Sequence, residues 1–344
     1  MQNHRALLAT TFLLVACSGD EGSPAEPPIP EGVTRLATLP REIAAGEEVS
    51  SLCYSWTLEN EETLWLSSAA LTTEGGVHHS NWFWVPERYY RGDDGAWPCT
   101  DRAFDNAVAG GQGGVIFAQS TQVTAEDQTF PEGVALAIGP RARIVANLHF
   151  LNATGAAQDG RLTLDLRTIP AAEVTIPLVG MGMENRSIVI PPRTRSELSM
   201  TCPIGDRHRE HLGRDPDFRI HYLLPHYHEL GTGARLEVIG TDGTVTPIFS
   251  TTSDVGEPLG GTLSPAFDMT GAEMLRFTCS YDNPRTEPVR WGIGDQEMCV
   301  LLGFTDSPTR WGGTVLHEVT PAGESDGVMR FDADCTLVSF GGGE

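Results

Sequence analysis

The chain contains no lysine. All 23 basic residues are arginine, set against 46 acidic residues, for a formal net charge of −23. Such a surface repels phosphate backbones and anionic lipid headgroups, which argues against nucleic-acid binding and against electrostatic adsorption to a membrane. Long stretches of 3.6-residue apolar periodicity are also missing, which argues against a helical bundle. No Gly-rich phosphate loop follows a strand pattern and no nucleophile elbow supports Ser-His-Asp catalysis. The apolar run from Ala6 to Val15 is too short to span a bilayer as a helix.

What is present begins with that same segment. A short charged start (His4, Arg5), the apolar run, and then Leu14-Val15-Ala16-Cys17 before Ser18 resemble a bacterial lipoprotein signal over residues 1–17. Cys17 would become the lipidated first residue of the mature chain, leaving a lipid anchor as the only membrane attachment. This implies an exported protein held on the bacterial cell envelope, and Ser18 points to the outer membrane as its destination. Residues 18–32 (SGDEGSPAEPPIPEG) have almost nothing to bury and read as a flexible tether. Setting Cys17 aside leaves Cys53, Cys99, Cys202, Cys279, Cys299 and Cys335, an even set in an exported chain. Three bridges are expected, and six cysteines allow 15 pairings.

With 344 residues, 40% of them apolar, the chain exceeds what one core usually organises, so two domains are expected. Short β-branched or aromatic runs such as TLWLSSAAL, ARIVANLHFL, RLTLDLRTI, FRIHYLL and CVLLGFTD alternate with Gly, Pro, Asn and Asp clusters. This spacing predicts an all-β protein of sandwiches or barrels. A prolyl turn around Ile169–Ile176 separates residues 33–170 from 171–344 as two strand-rich halves. One short helix is expected near Asp101–Val108, and GDRHREHLGRDPD, with His208 and His211, reads as a charged surface loop.

Histidines carry the chemistry. His226 and His228 stand at i and i+2 in a strand-like segment, so their imidazoles share one side and can grip one ion. The pair alone would also suit zinc, and Met298 alone would be packing material. Should Met298 approach the pair, its thioether selects copper. His78 and His79 are adjacent and need a bulge or turn to ligate together; Gly75-Gly76 supplies one. His149 shares a strand face with Asn147, Val145 and Arg143, opposite Ile144, Ala146 and Leu148, and would complete three imidazoles. His221 reads as an orienting or packed residue.

Taken in order, Val77-His78-His79, Asn147-Leu148-His149-Phe150, His226-Tyr227-His228-Glu229-Leu230-Gly231 and Glu297-Met298-Cys299 resemble the copper type II, ascorbate-dependent monooxygenases, the group of peptidylglycine alpha-hydroxylating and dopamine beta-monooxygenases. The resemblance runs from about Val33 to Cys335. It implies two jelly-roll β-sandwiches in tandem and two coppers per chain. An electron-transfer copper would sit on His78, His79 and His149. An oxygen-activating copper would sit on His226, His228 and Met298, with an open cleft between the two. It also implies the pairings Cys53–Cys99, Cys202–Cys335 and Cys279–Cys299.

The implied reaction is hydroxylation of a substrate C–H bond by dioxygen, with ascorbate or another one-electron reductant and the second electron supplied from the three-histidine copper. In the peptide-acting members, an arginine before the His-x-His motif and an asparagine and a tyrosine after the methionine bind substrate carboxylate. Here those positions are Leu224, Val300 and Leu302. A small apolar or neutral organic substrate is therefore expected instead of a glycine-extended peptide, with Arg88 and Arg219 as candidate substitutes. The alternative reading is a non-catalytic copper-binding surface lipoprotein; a carbohydrate-binding or adhesive sandwich with incidental histidines is a third.

Overall fold

In strand after strand, alternate residues turn inward. Along Ala142–Leu151, Ile144, Ala146 and Leu148 are buried on one face. Along Gln158–Ile169, Leu162, Leu164 and Leu166 do the same while Asp165 and Arg167 face outward. Each fully buried leucine contributes about 1.5–3 kcal/mol, so a one-residue slip in register would cost several such terms. The structure, a computed structural model, describes residues 28–119, 123–252, 260–292 and 294–340, without the side chains of 339 and 340. The signal segment, Cys17 and most of the tether lie outside the described residues.

The chain is all-β. A five-stranded sheet, in the order Gly95–Pro98, Glu48–Thr57, Ala142–Leu151, Val77–Pro86, Gly114–Ala118, packs over a sheet containing Val33–Ala37, Gln158–Ile169, Leu64–Glu74 and Val134–Ile138. Leu66, Trp82, Ile144, Leu148 and Leu164 fill the layer between them. A six-stranded sheet centred on Gly231–Gly240, Ala272–Asn283 and Thr194–Cys202 packs over Ile176–Asn185, Val300–Thr305 and Arg219–His226, around Leu198, Met200, Leu236 and Phe277. The result is two β-sandwiches.

The expected boundary falls at the 3-10 turn Ala171–Glu173. A sheet nevertheless runs across it, because Val134–Ile138 pairs in parallel with Ile176–Asn185, Val134 beside Ile176. Twelve described strands thereby form one continuous sheet, and the described residues from Gly32 onward form one compact unit.

Disulfides join Cys53–Cys99, Cys202–Cys335 and Cys279–Cys299, the pairings that the family resemblance implies. Three closed bridges mark an exported chain. Two local expectations need correction. The helix expected near Asp101–Val108 is instead a 3-10 turn, Cys99–Arg102, and a helix, Asn106–Gln112, whose N-cap Asp105 side chain accepts from Val108 N–H. The segment expected as a loop around His208 is a helix, Ile204–Leu212, closed by Gly213 at φ 69°. Ile204 and His208, one turn apart, are both buried there, and His208 stacks on Phe218.

Candidate metal centre

The three-histidine cluster forms where a strand turns a corner between sheets. Leu64–Glu74 and Val77–Pro86 lie in different sheets and are joined by Gly75-Gly76. Gly75 has φ +66°, and a Cβ there would sit 2.2 Å from the Asp159 carbonyl oxygen, so the corner needs glycine. Directly after it the register slips: Val77 faces Phe150 and His79 faces His149, leaving His78 as the extra residue of a β-bulge. That bulge lets two successive imidazoles serve one site. The donor atoms of His78, His79 and His149 all lie within 4.8 Å of one another.

His149 Nδ1 is 3.1 Å from His79 Nε2. Two imidazole nitrogens bound to one ion at about 2.0–2.1 Å each stand about 3 Å apart, so this spacing fits a shared ion. His149 Nε2 donates to Glu48 Oε1 at 3.0 Å, which fixes the tautomer and leaves Nδ1 free to ligate. His79 Nδ1 is buried with no hydrogen-bond partner.

On Arg219–His226 and just beyond it, His226 and His228 turn to one side while Tyr227 is fully buried on the other. Gly231 closes this motif because its own Cβ would lie 1.9 Å from the Tyr227 ring. His228 Nδ1 donates to the Gln296 carbonyl at 2.8 Å, leaving Nε2 available. Glu297 ties the two ligand loops together. Its buried carboxylate accepts from the backbone N–H of His228 at 2.8 Å, Leu230 at 2.7 Å and Met298 at 3.3 Å. The Tyr281 hydroxyl donates to the Met298 carbonyl, and Cys279–Cys299 pins the next residue. Met298 lines the same cavity as all five histidines.

The resemblance implies an open cleft between two separate sites, but the two sets face each other. The His79 and His226 ring centroids are 5.6 Å apart, and those of His226 and His228 are 5.1 Å apart. Burial pushes His78 down to about 4, with His149 adding repulsion, and pushes His226 down to about 3, helped by His228 and His78. Burial also lowers His79, His149 and His228. At neutral pH the cluster is therefore an uncharged set of nitrogen donors, the state that binds metal.

The cavity over these residues has a volume of about 1150 Å³. Leu224, Val300 and Leu302 line it, with Val300 beside His226 and Leu302 beside Leu224 across the strands. Arg88 and Arg219 are exposed and do not line the cavity, so neither takes the role expected of them. His221 is buried away from the cluster, its Nε2 3.3 Å from Asp306 Oδ2. Among the described residues, His78, His79 and His149 are the one close group of three metal-ligating His, Cys or acidic side chains, and His208 and His211 belong to no such group. Sequence reasoning missed Glu48, Gln296 and Glu297 as supports. Only Glu297 had any signal, as the acidic neighbour of Met298.

No known family model matches the chain, and no curated protein matches it. Solved structures with distant likeness include a Parabacteroides distasonis protein described as secreted, at 10% identity over 79% of this chain and 90% of that one, with a TM-score of 0.20. Others are an archaeal virus turret protein with a triple jelly roll (11%, 80% and 59%, TM-score 0.23) and oxalate decarboxylase from Bacillus subtilis (9%, 79% and 77%, TM-score 0.19). These likenesses carry no argument about function.

Proposed function

We propose that the chain is a copper-dependent monooxygenase similar to the ascorbate-dependent copper type II group. It would hold one copper on His78, His79 and His149 and a second on His226, His228 and Met298. The observation that carries this reading is the convergence of five uncharged imidazoles and a thioether on one large cavity, with two ligand sets of unlike chemistry. A site made only to hold a metal has no need of that inequality. Soft sulfur favours the cuprous ion, and imidazoles suit both valences.

Bound copper would supply one-electron transfer and dioxygen activation, with ascorbate or an equivalent as reductant. The protein's part is positional. Glu48 and the Gln296 carbonyl fix the tautomers of His149 and His228. Glu297 sets the spacing of the His228 and Met298 loops. Leu224, Val300 and Leu302 would give the substrate an apolar wall beside His226. Export would end in a lipid anchor at Cys17 on the bacterial envelope, at the outer membrane. A second reading, a copper-holding surface lipoprotein without turnover, is favoured by the apolar residues at the three substrate-contact positions.

Oxygen uptake driven by ascorbate separates the two. The copper-loaded chain, offered a panel of apolar C–H substrates both neutral and carboxylate-ended, should consume oxygen and place one labelled atom from ¹⁸O₂ in the product, while Met298→Leu should not. Full copper loading with no copper-dependent uptake or product would refute the enzyme reading.

A further inference from the structure

The cavity extends well past the histidines, and part of its floor is a sheet face bared by Gly180, Gly182 and Gly312. Adjacent strands align His226 with Val300, Val300 with Glu184, and Glu184 with Thr314. The next row on the same face runs Leu224, Leu302, Gly182, Gly312. The row beyond brings Gly180 alongside Arg310, since their successors Met181 and Trp311 are paired. All of these residues line the cavity. A Cβ on Gly180 would meet nothing within 4 Å, and one on Gly182 would meet only Leu302 Cδ2 at 3.7 Å and Leu301 O at 3.8 Å. Neither glycine is demanded by packing, so their effect is to open a trough. It crosses three strand spacings, roughly 14 Å, and four residues along a strand, about 13 Å.

Arg310 stands at the far end. It is half-buried, its Nη1 is buried with no hydrogen-bond partner, and no carboxylate pairs with it among the described residues. The other arginine of the wall, Arg186, is already engaged by Glu184 at 2.8 Å and lies against Trp291. A guanidinium withdrawn from water without a counter-charge is unfavourable, and a planar carboxylate matches its fork.

We infer that this trough binds an elongated substrate with an apolar body and an anionic end, the acid group on Arg310 and the apolar chain running over Gly180 and Gly182 to Leu224, Leu302 and His226. As the substrate class of the proposed site, this rests on the monooxygenase reading, but its test is a binding measurement that does not need copper. Decanoate and its neutral counterpart decan-1-ol are titrated into the copper-free full chain, read by the fluorescence of Trp291 and Trp311, which line the cavity.

Decanoate should bind about tenfold more tightly than the alcohol, the effect of one charge-assisted hydrogen bond. Arg310→Met should abolish that preference and Arg310→Lys should keep part of it. Gly182→Val, which fills the trough, should weaken both ligands. Equal affinity for acid and alcohol, or a preference that survives Arg310→Met, would overturn the assignment whether or not the chain binds copper.

Discussion

Replacing Glu297 by glutamine separates the support of the second ligand set from the rest of the protein. The carboxylate is 1% exposed and takes two short backbone bonds, from Leu230 at 2.7 Å on one oxygen and His228 at 2.8 Å on the other, plus a longer one from Met298. Glutamine keeps the shape but turns one acceptor into an NH₂ group. In either orientation, at least one short bond is lost and two donors face each other. A buried donor left unsatisfied costs about 1–3 kcal/mol. Taking about 2 kcal/mol, the equilibrium that depends on the spacing of these loops shifts roughly 30-fold.

Because the affected amides belong to His228 and Met298, the loss should fall on the copper proposed for His226, His228 and Met298. Competition with a chelator should show that copper weakened about 10- to 30-fold, the three-histidine copper unchanged, and partial rescue by Glu297→Asp. Equal weakening of both coppers, or of neither, would refute the reasoning.

Three further outcomes follow from the same geometry. Met298→Leu should abolish turnover while leaving the three-histidine copper loaded, read by X-ray absorption as loss of the sulfur scatterer; a persisting sulfur signal would remove Met298 from the ligand set. Glu48→Gln should lower affinity at the three-histidine site by about 10- to 100-fold, the usual effect of losing the partner that orients a ligand, and copper competition checks it. Replacing Cys279 and Cys299 by serine frees a 20-residue loop, for an expected loss of about 3 kcal/mol in a urea melt, accompanied by weaker binding of the second copper.

The candidate ligands could be picked out in the sequence because their geometry is local. The i, i+2 spacing of His226 and His228 and the alternation along ARIVANLHFL dictate which way the rings point. Gly75-Gly76 announced the corner at which His78 and His79 could act together. The supports were largely illegible, because the contacts that matter join distant parts of the chain: 101 residues separate Glu48 from His149, and 69 separate Glu297 from the His228 amide, and only the adjacency of Glu297 to Met298 gave a signal. Arg310 was hidden for the same reason, since only strand pairing places it across the trough from His226. The helix Ile204–Leu212 escaped notice because its charged residues mask the short buried stripe of Ile204 and His208.

The central claim is that the histidines and Met298 form two copper sites, and it is tested most directly by counting copper per chain after disulfide formation, reconstitution and desalting. Two tightly held coppers are predicted. A chain that retains one has a single site where two are claimed, and a chain that retains none returns the five histidines to structural roles; either result contradicts the account.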